Sequence, residues 1–159
     1  MTIERSAFRD ILGCFVTGVT VVTALGEDGE HVGLTVNSFN SVSLEPPMVL
    51  FSLDRRAQSL PVFETSGAFA VSLLSDAHEA LSDRFAQRNT DKWDGVAYQV
   101  GANGCRLLEG AMATFECTTY AQYDGGDHVI FVGSVVAMSA DPEARPLVYY
   151  RGAYITKLR

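Results

Sequence analysis

A polar stretch interrupts the most strand-like part of this chain, and it constrains both fold and function more than any other feature. Apolar alternation precedes it at Val32, Leu34 and Val36, and an apolar run follows at residues 48–51. The polar residues between are Thr35, Asn37, Ser38, Asn40, Ser41 and Ser43. Because such side chains offer donors and acceptors to a planar polar molecule, the pattern predicts a ligand site on a core element. The alternative is an edge strand whose polar residues simply face water.

Length and charge favour one compact domain without a nucleic-acid partner. A chain of 159 residues can bury roughly two thirds of its unfolded surface. It carries 12 basic and 19 acidic residues, a net charge of -7, and no basic run interleaved with aromatic residues. The N-terminus lacks a signal-peptide pattern, and the apolar stretch 16–25 is broken and too short to cross a bilayer. We therefore expect a cytoplasmic protein that binds neither nucleic acid nor membrane.

The cysteines and histidines show no metal-binding or disulfide pattern. The cysteines are odd in number and lack Cys-x-x-Cys spacing, and the histidines lie far apart in the sequence. These residues are Cys14, Cys105, Cys117, His31, His78 and His128. We expect buried thiols and no metal site.

Periodicity and turn residues predict a mainly β chain with peripheral helices. Ser6 is placed to cap a helix that ends near Gly18, and further helices are predicted from Ser59 through 63 and from Asp76 through 88. The predicted strands are 19–23, one from residue 32, 48–53, 69–74, 113–123, 128–138, 148–150 and 154–158. The prolines at 46–47 are expected to break pairing, and the glycines at 125–126 to make a hairpin. Without βαβ alternation, this favours a closed antiparallel barrel over a doubly wound fold.

Four segments of the chain resemble the short-chain flavin reductases, which supply reduced flavin to two-component monooxygenases. The segments are 18–23, 35–43 with the prolines at 46–47, 51–53 followed by Ser59, and 125–128 leading into 130–133. Their order and spacing match across nearly the whole chain. The resemblance implies one flavin reductase-like domain over residues 1–159, folded as a split antiparallel β-barrel of six or seven strands with peripheral α-helices.

The same resemblance implies an enzyme that transfers a hydride from NADH to FAD or FMN, with FAD slightly favoured. It also implies a homodimer, and an oxygenase component as partner that receives reduced flavin by diffusion or by contact. No G-x-G-x-x-G follows a predicted strand, so NADH would bind without a Rossmann motif. A non-catalytic flavin sensor or carrier on the same barrel is the competing interpretation.

Flavin-binding residues follow from the resemblance as well. The residues implied to line the ring are Thr35, Asn37, Ser38, Ser41 and Val42, with Phe51, Ser52 and Leu53 beneath it. Arg55 and Ser59 are the expected phosphate ligands, close to a predicted helix start. Arg84, Phe85 and Ala86 are implied near the pyrophosphate or adenosine; alternatively they form a solvated helix face with Phe85 in the core.

His128 is the expected catalytic residue, because a histidine after this glycine hairpin contacts the nicotinamide in the resembling family. Tyr149, Arg151 and Tyr154 are expected to complete the nicotinamide side, although the tyrosines could instead pack a C-terminal strand. Hydride transfer requires two stacked rings, so the protein is expected to position them rather than act as an acid or base.

Overall fold

Antiparallel strands are the main secondary structure of the chain, which a computed structural model describes over residues 2–155. The strands are β1 (Thr17–Gly18), β2 (Thr20–Leu25), β3 (His31–Val36), β4 (Asn40–Leu44), β5 (Pro47–Asp54), β6 (Ala68–Leu73), β7 (Tyr98–Val100), β8 (Arg106–Leu108), β9 (Ala113–Gly125), β10 (His128–Ala140), β11 (Val148–Tyr150) and β12 (Ala153–Ile155). The helices are α1 (Arg5–Leu12), α2 (Leu60–Thr65) and α3 (Glu79–Ala86), and a 3-10 turn spans Asp76–His78. The mainly β prediction is confirmed.

Seven strands form the main sheet, in the order β3-β2-β6-β9-β10-β5-β4. Its ladder ends at β3 and β4, although these strands are consecutive in the chain. Ser38, which connects them, donates its hydroxyl to the Ser52 carbonyl (3.1 Å) and accepts the Ser52 N–H (2.9 Å). Side-chain hydrogen bonds rather than a strand ladder therefore join the β3–β4 connection to β5. The predicted split barrel with peripheral helices is confirmed.

The barrel interior is packed with aromatic rings from alternate strand positions. The Phe51 ring lies 4.9 Å from that of Phe69 and 5.2 Å from that of Phe131, between centroids. Because side chains alternate along a strand, burial of Phe51 and its neighbours on the same face turns Ser52 and Asp54 outward. The β5–β10 register then places His128 opposite Asp54. This alternation determines which polar groups of β5 can reach a ligand.

A second, smaller core cluster lies between α3 and the outer side of β2. Its buried members include Val21, Leu74, Phe85 and Leu147, with Trp93 packed against them. The Phe85 and Trp93 rings meet edge to face, with centroids 4.9 Å apart. This cluster holds α3 against the barrel.

Helix α1 differs from its prediction in both its ends and its environment. It begins after Glu4, so Ser6 lies inside the helix and donates to the Glu4 carboxylate instead of capping. It ends at Leu12 rather than near Gly18, because residues 17–18 already pair as a strand with β11. Its apolar residues do not enter the core, since Phe8, Ile11 and Leu12 are all exposed.

Two other local predictions were also inaccurate. The prolines do not break pairing: Leu44 pairs with Pro47 across a turn, because a proline at the start of a strand need not donate to the ladder. The helix predicted from Asp76 begins with Ser75 as the cap of the 3-10 turn, and α3 ends at 86. The predicted glycine hairpin does form, and within it Gly126 has a positive φ, 76°. Residues 156–158 of the last predicted strand lie outside the described residues.

Candidate functional site

A cleft of about 390 Å³ opens between β3, the loop after β5 and the loop after α3. Its lining includes Leu34, Asp54, Gln58, Ser59, Ala86 and Lys92. Ser59 and Ala86 are therefore two predicted flavin-binding residues that the fold brings to one cavity. Ser59 occupies the position before α2, and its hydroxyl forms no capping hydrogen bond, so it can face a ligand.

Lys92 supplies positive charge to this cleft and was missed by the sequence analysis. Its Nζ donates to the carbonyls of Gly33 (3.2 Å) and Phe85 (2.9 Å). Burial lowers the pKa of Lys92 from its ordinary value. No motif marks this lysine, because only the fold brings the loop after α3 back to β3.

A side-chain pair joins the two loops that border the cleft. Gln58 Nε2 donates to Asn89 Oδ1 at 2.7 Å, which links the loop after β5 to the loop after α3. Asn89 has a positive φ of 56°. This pair fixes the separation of the loops on which Ser59 and Ala86 border the cleft.

The predicted polar and edge residues of the ring site fall in four different surroundings. Ser38 and Ser52 bind each other, as described above, while the Thr35 hydroxyl donates to the Ser82 carbonyl at 2.6 Å. Ser41 and Val42 lie at a register irregularity on the edge strand β4. Asn37 lines two further cavities, one of which Ser38 also lines, and it does not line the first cleft.

Three residues expected at the flavin have fully buried side chains. Phe51 and Leu53 point into the barrel core, and Phe85 packs in the second cluster. Only their main-chain groups can therefore reach a ligand, and for Phe85 the alternative of a core residue describes its side chain. Arg84 is tied to the loop after α3, where its Nη1 donates to the Asp94 carbonyl.

His128 follows the hairpin 124–127 directly and is the first residue of β10, an interior strand of the sheet. The His128 side chain is 41% exposed, and its Nδ1 lies 2.6 Å from Asp127 Oδ1. The hydrogen bond from His128 lowers the pKa of Asp127. Because a charged Asp127 carboxylate can only accept, the Nδ1–H of His128 donates this hydrogen bond. The other ring nitrogen, Nε2, is then directed away from the carboxylate. Opposite His128, the hydrogen bond from Arg56 holds the pKa of Asp54 well below its usual range.

Arg55, predicted as a phosphate ligand, contacts this same hairpin. Its Nε donates to the Gly126 carbonyl at 2.8 Å, and its Nη2 donates to Asp124 Oδ1 at 2.5 Å. Its backbone N–H donates to the Asp127 carbonyl at 2.9 Å. The side chain thus extends toward the hairpin.

A second cleft, of about 670 Å³, contains two of the predicted nicotinamide residues. Asn37, Tyr149 and Arg151 line it together with residues of α1. Arg151 has a positive φ of 47°, and its Nη2 lies 3.5 Å from Cys14 Sγ. His128 is not among the lining residues of this cleft, so the predicted nicotinamide set is divided between two places.

Tyr154 links the C-terminal hairpin to α3. Its hydroxyl donates to Asp83 Oδ1 (3.0 Å) and shares a hydrogen bond with Ser82 Oγ (2.7 Å). Desolvation raises the pKa of Tyr154. Because the Thr35 hydroxyl binds the Ser82 carbonyl, Ser82 connects a predicted flavin residue with a predicted nicotinamide residue.

Two of the three thiols are buried. Cys105 and Cys117 are buried, as predicted, and burial raises their pKa values to about 11 and about 12. Cys14 is exposed, which contradicts the expectation of a buried thiol, because α1 lies on the surface.

Across residues 2–155, no group of three or more His, Cys, Asp or Glu side chains is arranged to hold a metal ion. Within the same range, no helix is long and apolar enough to cross a membrane.

Comparisons with known proteins agree on one family. Residues 12–157 match the family described as Flavin reductase like domain. A flavin reductase of Pseudomonas putida is 41% identical over 152 residues, covering 96% of this chain and 89% of the relative. The reductase component of 4-hydroxyphenylacetate 3-monooxygenase from Thermus thermophilus is 44% identical, covering 94% of this chain and 95% of the relative.

A solved structure extends this likeness to three dimensions. The NADH:FAD oxidoreductase SgcE6 of Streptomyces globisporus, in complex with NAD and FAD fragments, superposes with a TM-score of 0.91 at 37% identity. The superposition covers 96% of this chain and 92% of that chain. Family match, relatives and fold therefore coincide over nearly the whole sequence, and the chain belongs to the flavin reductase like domain family.

Proposed function

We propose that this protein is an NADH-dependent flavin reductase that passes reduced FAD or FMN to a partner monooxygenase. The observation that carries the proposal is the position of Asp54, which lines the cleft containing Ser59 and pairs in register with His128. The predicted phosphate and catalytic residues therefore lie at the same end of the barrel. The whole chain would act as one domain.

The polar groups at this end suit a flavin. Ser59, Gln58 and Lys92 offer hydroxyl, amide and ammonium donors for its phosphate. The Ser38 hydroxyl and the Ser52 carbonyl, which bind each other, keep lone pairs that can accept from the ring N–H. The main-chain groups of 51–53 and 84–86 remain proposed contacts, with Thr35, Asn37, Ser41 and Val42 at the ring edge.

We favour FAD over FMN because the cleft continues past Ser59. It reaches Arg88, Lys92 and Trp93, which gives room and donors beyond a single phosphate. A ratio of kcat/KM for FAD over FMN above one supports this choice, and a ratio below one contradicts it.

The residues of this chain position the reactants. When bound, NADH supplies the hydride and the flavin accepts it, which requires the two rings within about 3.5 Å. His128, held through Nδ1 by Asp127, would direct Nε2 toward the nicotinamide. Tyr149, Arg151 and Tyr154 would support the rest of the dinucleotide from the C-terminal hairpin.

The first experiment mixes the protein with NADH and FAD without oxygen and follows the visible flavin absorbance. Rapid bleaching at catalytic protein concentrations is the expected result. Flavin binding without bleaching would instead favour the sensor or carrier alternative, which the reductase names of the relatives described above do not support.

A variant then tests the catalytic residue. His128→Ala is expected to slow reduction by NADH, because the nicotinamide loses a positioning contact, while flavin affinity stays within about twofold. A large loss of flavin affinity with normal reduction would contradict this role.

The relatives include a reductase component of a two-component monooxygenase, so an oxygenase partner is expected, reached by flavin diffusion or contact. We also propose a homodimer that covers the exposed apolar face of α1. We place the protein in the cytoplasm, where NADH is available and the free thiols of the chain would stay reduced.

A further inference from the structure

Arg55 binds the His128 hairpin at three points, two through its side chain and one through its backbone. We propose that Arg55 is a positioning residue for hydride transfer, which sets the place of His128 by holding this hairpin, rather than a ligand of the flavin phosphate. The inference rests on the proposed role of His128.

The hairpin needs such support because the strand ladder on one side ends at His128. His128 pairs with Asp54, which is the last residue of β5. The backbone N–H of Arg55 continues this pairing by one bond to the Asp127 carbonyl. Beyond it, the turn around Gly126 is exposed, and no further ladder bond from the β5 side reaches it within the described residues. The Arg55 side chain contacts it there.

An arginine fits this position because its donors lie on one planar edge. Nε donates to the Gly126 carbonyl while Nη2 donates to the Asp124 carboxylate. One guanidinium group therefore joins the end of β9 to the turn itself. A lysine ammonium is a point charge and cannot reproduce this two-pronged contact.

The contacts of Arg55 lead directly to the imidazole. Asp127 receives the Arg55 N–H on its carbonyl and holds His128 Nδ1 with its carboxylate. A shift of the hairpin therefore moves both the main chain and the carboxylate that orient the ring. We call the two side-chain contacts of Arg55 with the hairpin the clamp. Since small misplacements of a positioning group slow a reaction strongly, loss of the clamp should lower the rate of flavin reduction.

The neighbouring arginine is also engaged elsewhere. Arg56 donates from Nε (3.1 Å) and Nη2 (2.8 Å) to the carboxylate of Asp54. The guanidinium groups of Arg55 and Arg56 therefore both have carboxylate partners. The cleft itself is lined by other phosphate donors, namely Ser59, Gln58, Arg88 and Lys92.

The test compares two flavins that differ only in the phosphate, FMN and riboflavin. With Arg55→Ala, the rate of reduction by NADH should fall about fivefold or more with either flavin, because a misplaced positioning group slows the reaction. The KM for FMN should stay within about twofold, because no phosphate contact is lost. Arg55→Lys should behave like Arg55→Ala, and it serves if the alanine variant folds poorly.

A double-mutant cycle identifies the partner. Asp124→Ala should also slow reduction, and the double variant Arg55→Ala/Asp124→Ala should be no slower than Arg55→Ala alone. Arg145→Ala is the matched control, since Arg145 pairs with Asp76 at a distance of 3.0 Å in a different part of the fold. It should retain the original rate.

A loss confined to FMN, with a raised KM and normal riboflavin reduction, would overturn the inference and make Arg55 a phosphate ligand. Amide hydrogen exchange at Gly125, Gly126 and His128 provides a readout independent of activity. Faster exchange in Arg55→Ala is expected, and unchanged exchange would refute the clamp. If His128→Ala keeps the original rate, the proposed function of His128 fails, while the exchange measurement still tests the clamp.

Discussion

Gly133 shows how a single residue can be required by packing alone. A Cβ at this position would lie 2.3 Å from Phe69 Cζ and 2.8 Å from Cys117 Cβ. Both neighbours are fully buried in the barrel core, and the β9–β10 register shifts between Val132 and Gly133. The side chain of Phe69 therefore occupies the space that any larger residue at 133 would need.

Gly133→Ala should consequently destabilise the protein by about 1–3 kcal/mol, the usual cost of overpacking a core. Denaturant unfolding of the two proteins measures the difference. Gly18→Ala is a matched control in a strand, since nothing lies within 4 Å of its Cβ position, and its stability should be nearly unchanged. Equal stability of Gly133→Ala and the original protein would show that the core adjusts freely.

The start of α3 depends on the protonation state of one histidine. The Ser75 N–H donates to His78 Nδ1 (3.3 Å), and His78 Nε2 contacts the Glu109 carbonyl at 3.0 Å. Nδ1 must therefore accept while Nε2–H donates, which is the arrangement of a neutral ring. Desolvation accordingly lowers the pKa of His78.

This arrangement predicts a pH-dependent stability. In the unfolded chain the His78 imidazole has a pKa of about 6.5, whereas in the folded chain burial makes its protonation less favourable. The contribution of neutral His78 to the folding stability is therefore complete above that pH. It is lost as the pH falls toward the lowered pKa of the folded state. His78→Gln keeps the capping-box pattern without a titrating group. Between about pH 7.5 and 5.5, the melting temperature of the original protein should fall more than that of His78→Gln; parallel curves would contradict the assignment.

Elements governed by local pattern were predictable, and those governed by distant contacts were not. The alternation of β5 and the glycine hairpin before His128 follow from the sequence, as does the resemblance that links Ser59 with His128. The cap at Ser75 was missed because its partner is a histidine rather than the usual carboxylate or amide. Lys92 and the two-point contact of Arg55 could not be foreseen, since their partners lie on distant segments of the chain.

The whole molecule leaves one helix face without a partner inside the described chain. The amphipathic pattern of α1 predicts burial, yet Phe8, Ile11 and Leu12 face outward, and Phe15 just beyond the helix is exposed too. Contiguous apolar patches of this kind mark interaction sites on soluble proteins. A second copy is the partner that we propose, because a symmetric dimer would place the same face of both chains together.

Sedimentation or light scattering should then give twice the chain mass of 17.2 kDa. Phe8→Glu is expected to shift the equilibrium toward monomer, since a charge buried at an interface without a partner is costly. Phe8 is 52% exposed and is not among the lining residues of the two clefts described above. Val100→Glu makes the same kind of change at a residue of β7 that is 62% exposed, and it should leave the dimer intact. A monomeric original protein would refute the dimer, and dissociation by Val100→Glu alone would place the interface at β7 instead of α1.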